Sequence, residues 1–177
     1  MTALLHELLG ADFVPPPATY EWRVAELEQQ LGFLPSEKRE QTKSLLLRFA
    51  ETDQQIRALA SNQVLTENPE ERRGIIAAYE KRQAELASLL TPAELEQVEL
   101  TTSWTAENLR RAMVHFQPTE EEFRSIFREW HAQDEKLARI HAAAEPDPGN
   151  LQDQVFARLR EVLGETRYQE YRSTWWK

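Results

Sequence analysis

The chain contains no cysteine among its 177 residues. Disulfide staples, thiolate zinc sites, cysteine nucleophiles and cysteine-ligated iron–sulfur clusters are therefore excluded, and the compartment is left open. Glycine is scarce, with five in all, and alternating runs of β-branched and aromatic residues are missing, so sheet structure is not expected. No apolar stretch approaches the roughly 20 residues that span a bilayer. Basic residues are outnumbered 21 to 30, for a net charge of −9. A nucleic-acid binder usually carries a basic footprint, and the pairs Arg72-Arg73 and Arg110-Arg111 are too small to reverse the overall field. Nucleic acid is therefore not an expected partner.

Catalytic signatures are also missing. There is no Gly-x-Ser-x-Gly elbow, Walker A loop, Gly-x-Gly-x-x-Gly or His-Glu-x-x-His. The Glu-x-x-His pair that two-metal carboxylate bundles use twice does not occur once. Pairs of carboxylates abound, but 30 acids generate pairs by chance. No residue is nominated as catalytic and no cofactor is expected.

What is present is helix grammar. Glu, Gln, Leu, Ala and Arg dominate, all good helix formers. Residues 1–19 read as a short amphipathic helix followed by the linker Pro15-Pro16-Pro17, and 20–177 as a single helical domain. The opening stretch is apolar but lacks a basic start, and Glu7 interrupts it, so it does not form a complete signal peptide. The expected location is periplasmic or otherwise exported if a signal has been removed upstream, and cytoplasmic otherwise.

Within the domain, a helix from Tyr20 to Leu31 stops at Gly32. Cap signals stand at Ser36, Asn68, Thr91 and Thr119, each followed by acids that suit a helix N-terminus. Pro69 and Pro92 occupy first helical positions, and Thr119 with Glu122 has capping-box spacing. The helix from Ser36 runs to about Asn62, with Leu45, Phe49, Ile56 and Leu59 on one face. At 1.5 Å per residue it would be about 40 Å long. The next, from Asn68, buries Ile75, Ile76, Tyr79, Leu86, Leu89 and Leu90, with Gln83 as a polar step. A short connection makes these two an antiparallel hairpin. A helix restarts at Ser103 or Thr105, and the one after Thr119 carries Phe123, Ile126, Phe127, Trp130, Leu137 and Ile140. Residues 145–150 form a loop, and Gly164 separates the last two helices. The expectation is an all-α fold: antiparallel helical hairpins in an elongated bundle of about seven or eight helices.

Two sets of residues are candidates for function. His131, Asp134 and Glu135 lie within one helical turn and could form one edge of a metal site. An ordinary charged helix face has the same composition, and one helix supplies too few ligands. The second set is apolar: Phe127, Trp130, Trp175 and Trp176, as anchors for a protein partner. Trp130 sits in a stripe that also suits a core position, and the terminal pair could equally dock on the bundle. Trp22 is expected to pack near its own hairpin.

The segment Leu89-Leu90-Thr91-Pro92-Ala93-Glu94-Leu95-Glu96-Gln97 resembles the LTxxQ helix starts of the Spy- and CpxP-like periplasmic proteins, although no glutamine stands at the motif's last position. The wider stretch from Leu90 to Trp130 is similar to uncharacterised, exported bacterial helical proteins. The resemblance implies a helical envelope protein, often a dimer, that acts as a chaperone, stress-signalling adaptor or metal sensor. Together with the missing motifs, it makes a non-enzymatic envelope protein that presents a helical apolar surface to a protein partner or unfolded client the leading expectation. A homodimer is compatible with it, and a metal-binding helical protein is the alternative.

Overall fold

A computed structural model describes residues 18–63, 66–146 and 148–174. The expected N-terminal helix and proline linker, up to residue 17, and the terminal Trp175 and Trp176 lie outside these residues. Nine helices and no strand occur among the described residues: α1 Ala18–Gln30, α2 Ser36–Arg48, α3 Ala50–Ala60, α4 Pro69–Leu89, α5 Pro92–Thr102, α6 Trp104–Ala112, α7 Glu120–Ala142, α8 Leu151–Leu163 and α9 Glu165–Thr174. The fold is all-α, as the composition requires.

The caps explain most of these boundaries. Asn68 accepts a hydrogen bond from Glu70 N–H at 2.9 Å, ahead of Pro69. Thr91 with Glu94, and Thr119 with Glu122, close full capping boxes. Ser103 caps α6 by accepting from Ala106 N–H. Gly164, at φ 73°, turns the chain between α8 and α9, a conformation open to glycine without a Cβ clash. Ser36 departs from expectation: Pro35 holds the cap position without a side-chain hydrogen bond, and Ser36 is the first helical residue.

A larger departure lies at Phe49. The 40 Å helix expected from Ser36 to Asn62 breaks there, where the backbone reaches φ −98° and ψ 11°. Phe49 still joins the two segments, its N–H bonding to Leu45 O and its carbonyl accepting from Asp53 N–H. The break therefore acts as a bend, and it redirects the apolar face. Leu46 of α2 packs with Leu27, Leu31, Leu34, Leu86, Leu90 and Val98. Ile56, Leu59 and Ala60 of α3 pack with Ile75, Tyr79, Ala138 and Ala142 instead. A straight helix could not serve both. On either side of the bend the chain reaches α4, where Arg48 pairs with Glu85 and Asp53 with Arg82.

The core is thus divided. An N-terminal cluster gathers α1, α2, the end of α4 and the start of α5. A middle cluster holds α3 between α4 and α7, where alanines at 58, 60, 138 and 142 let α3 and α7 approach closely. His141 Nδ1 lies 2.6 Å from Leu59 O across that contact. A C-terminal cluster joins α6, the first half of α7, α8 and α9 around Ile126, Phe127, Trp130, Val155, Leu159 and Tyr171.

Candidate functional site

Five helices change cluster, or begin, at a charged or polar residue. On α4, Arg82 and Gln83 lie between Tyr79 of the middle cluster and Leu86 of the N-terminal one. On α5, Glu99 separates Val98 of the N-terminal cluster from Leu100 of the C-terminal one. On α7, His131, Asp134 and Glu135 fall between Trp130 of the C-terminal cluster and Ala138 of the middle one. Asp53 occupies the first turn of α3, and Thr105 the start of α6. A helix that passes from one apolar cluster to another turns a different side inward, so the positions at the crossover face its neighbours rather than solvent. These residues meet at the three-way junction of the core.

Their contacts are specific. Arg82 is 3% exposed and Glu99 7%; the guanidinium Nη1 donates to Glu99 Oε1 at 2.8 Å, and Nε lies 2.9 Å from Asp53 Oδ1. Tyr79 donates its phenolic hydrogen to Glu135 Oε1 at 2.8 Å and accepts from Gln83 Nε2 at 2.7 Å. Glu135 also faces His131 Nε2 at 3.7 Å and Arg139 Nη1 at 3.6 Å. His131 stacks on Phe127 with ring centroids 5.0 Å apart. Asp134 Oδ2 accepts from Thr105 Oγ1 at 2.6 Å.

Burial and charge act on these groups in opposite directions. Burial, aided by the Glu99 charge, pushes the Asp53 carboxyl up to about 6 against the pull of Arg82 and Arg23. Burial likewise pushes Asp134 up to about 6, against its Thr105 hydrogen bond and His131. For Glu99, burial raises the pKa, but the charges of Arg82 and His131 prevail and hold the carboxyl below its usual range. Burial opposes the Arg82 charge, and its two carboxylates more than restore it. Tyr79 is pushed well above the ordinary phenol range by burial and by Glu99 and Glu135. The chemical capacity of the junction is therefore proton binding: Asp53 and Glu99 share one buried guanidinium, and Asp134 and Glu135 stand on the neighbouring α7.

The residues singled out from sequence are placed as follows. Phe127 and Trp130 are core residues, 3% and 9% exposed, which corrects their reading as surface anchors. Trp130 Nε1–H donates to Tyr171 Oη at 2.7 Å, and its ring meets Phe156 edge-on at 5.6 Å. Trp175 and Trp176 lie outside the described residues. His131 and Glu135 approach each other, whereas Asp134 turns to Thr105. Among the described residues no group of three or more His, Asp or Glu side chains is gathered to hold a metal ion. Trp22, expected against its own hairpin, is 66% exposed on α1. Local spacing does not nominate Arg82, Glu99, Asp53 or Tyr79 as site residues. Their signal was a charge inside an apolar register: Glu99 stands between Val98 and Leu100, and Arg82 beside the polar step Gln83. A separate cavity of about 230 Å³ is lined by His115, Phe116, Glu170, Ser173 and Thr174. Comparison with family models, with curated proteins and with solved structures returns no match.

Proposed function

We propose that this chain is a non-enzymatic binding protein of the cell envelope, a chaperone or stress-signalling adaptor that presents a helical surface to a protein partner or unfolded client. The observation that carries this reading is Trp22, two-thirds exposed on α1, with Phe33, 44% exposed, just beyond the end of the same helix. Tryptophan is a frequent anchor at protein interfaces, where a large ring fills a pocket on the partner. The ion pair of Arg23 with Glu26 lies beside it, and an apolar anchor inside a charged rim is the usual anatomy of a transient interface. The residues Leu90-Thr91 at the α5 start, which carry the likeness to Spy- and CpxP-like helices, support the same reading.

The test is suppression of aggregation of an unfolded client at stoichiometric amounts. The native chain is expected to suppress it, and Trp22→Ala to weaken suppression several-fold without changing the circular dichroism spectrum. Absence of suppression, together with absence of binding to a dye that reports exposed apolar surface, would overturn the chaperone reading.

A further inference from the structure

We infer that the three-way junction is a proton-operated latch: proton uptake by Asp53 and Asp134 closes the helical clusters on one another, and proton release loosens α3 and α6 at their starts. The geometry carries this in two parts, charge and backbone.

The charge balance comes first. Asp53 on α3 faces Arg82 on α4, Glu99 on α5 and the charge of Arg23 on α1. Arg82 is already engaged by Glu99 at 2.8 Å, so two acids share one cation. On α7, Glu135 faces Tyr79, His131 and Arg139. Asp134 faces Thr105 of α6 and the neighbouring His131, and forms no ion pair with a lysine or arginine among the described residues. A carboxylate that must shed water to occupy such a place binds a proton more tightly in the closed arrangement than in the open one. Protons therefore favour closure.

The backbone supplies the pivots. The bend at Phe49 precedes Asp53 by one helical turn, and the break at Ser103, at φ −77° and ψ 149°, precedes Thr105 by two residues. Each of the two carboxylates thus acts on a helix that starts at a discontinuity, Asp53 from within α3 and Asp134 through Thr105 of α6. Both helices can shift without breaking a turn of α4 or α7, the long helices that tie the clusters together. Small displacements at such points are how packed helical clusters change between discrete arrangements.

The direction follows from the carboxyl values. Asp53 and Asp134 sit at about 6 in the closed fold and near 3.9 when hydrated. Between those limits the closed form holds more protons, so the latch tightens as pH falls from 7.5 to 5. The expected gain over that range is about tenfold in the closing equilibrium for Asp134. It is smaller for Asp53, whose side chain is 37% exposed and screened by solvent.

Two measurements on the full chain test the latch. Carboxyl-carbon NMR should show Asp53 and Asp134 titrating with midpoints near 6. Amide exchange, corrected for intrinsic rates, should slow between pH 7.5 and 5 by more than that of α8, about tenfold more for α6 and less than that for α3. In D53N/D134N the protection seen at pH 5 should persist at pH 7.5 and lose its pH dependence. Midpoints near 4 for both carboxyls would overturn the latch, whether or not the variant folds. So would α3 and α6 protection that follows pH no differently from α8. Neither readout depends on a partner, so the latch and the client-binding reading fail separately.

Discussion

The core holds buried polar groups in two different ways. In the C-terminal cluster, Trp130 and Tyr171 meet as a neutral donor and acceptor at 2.7 Å within an apolar shell. At the junction, Arg82 is divided between Glu99 and Asp53, and further carboxylates stand close by. The first contact lies inside one cluster and adds specificity to packing that exists without it. The second lies where three clusters meet and decides how they fit together. A neutral pair inside a cluster is local. An ionic group shared between clusters makes its helices depend on one another and on pH.

The sharpest way to break this comparison is Arg82→Ala. Removing one partner from a buried ionic array leaves the others desolvated without compensation, which costs about 3–5 kcal/mol. The denaturation midpoint should fall accordingly. The combined variant Arg82→Met, Glu99→Leu, Asp53→Leu should recover most of that loss, because apolar groups of similar volume replace a buried ionic array without leaving a stranded charge. If the single variant and the combined variant are equally unstable, the cost lies in packing volume rather than in stranded charge.

Tyr171→Phe tests the other side. The substitution keeps the fully buried ring and its edge-to-face contact with Phe116, and deletes the acceptor of the Trp130 indole. The expected loss is about 1–1.5 kcal/mol, the same at pH 5 and pH 7.5. Thermal unfolding at the two pH values checks both statements. A loss that changes with pH would couple this cluster to the junction.

Legibility in the sequence divides along the same line. Helix boundaries set by local chemistry could be read directly: Asn68, Thr91 and Thr119 cap through groups two or three residues away, and Gly164 marks its turn by itself. The bend at Phe49 could not, because neither proline nor glycine stands there. Its cause is tertiary, in the choice of α2 and α3 to face different clusters. Half of the junction was visible as His131, Asp134 and Glu135 on one face of a helix. The spacing that suggested metal ligands is the spacing that places these groups at a cluster boundary. Their partners on α3, α4, α5 and α6 come from elsewhere in the chain, and no local pattern announces them. Phe127 and Trp130 show the converse limit: an aromatic stripe has the same period whether it meets a core or a partner, and here it meets the core.

The smallest expected effects come from the capping boxes, and they turn the comparison around. Thr119→Ala should cost about 0.5–1 kcal/mol, measured as a shift of the denaturation midpoint. The two box acids do more than cap. Glu94 reaches Lys38 of α2 at 2.8 Å, and Glu122 reaches Arg167 of α9 at 2.7 Å. Lys38, with the Thr91 backbone, holds Glu94 down to about 2, and Arg167 does the same for Glu122 against the opposing effect of burial. Carboxyls held low contribute stability that is present above the ordinary value of 4.5 and is lost as pH falls from there towards 2. Asp53 and Asp134 have the opposite sign, since they destabilise the fold above about 6 and cease to do so as they take up protons. Stability should therefore rise as pH drops from 7.5 to about 5, and then fall below about 4.5. Glu122→Gln should flatten only the acid limb and D53N/D134N only the neutral one. Salt should weaken the acid limb, because ions screen the partly exposed clasps, and should reach the neutral limb through Asp53, whose side chain is also partly exposed. A profile in which one variant moves both limbs would mean that clasps and junction act as a single network rather than two.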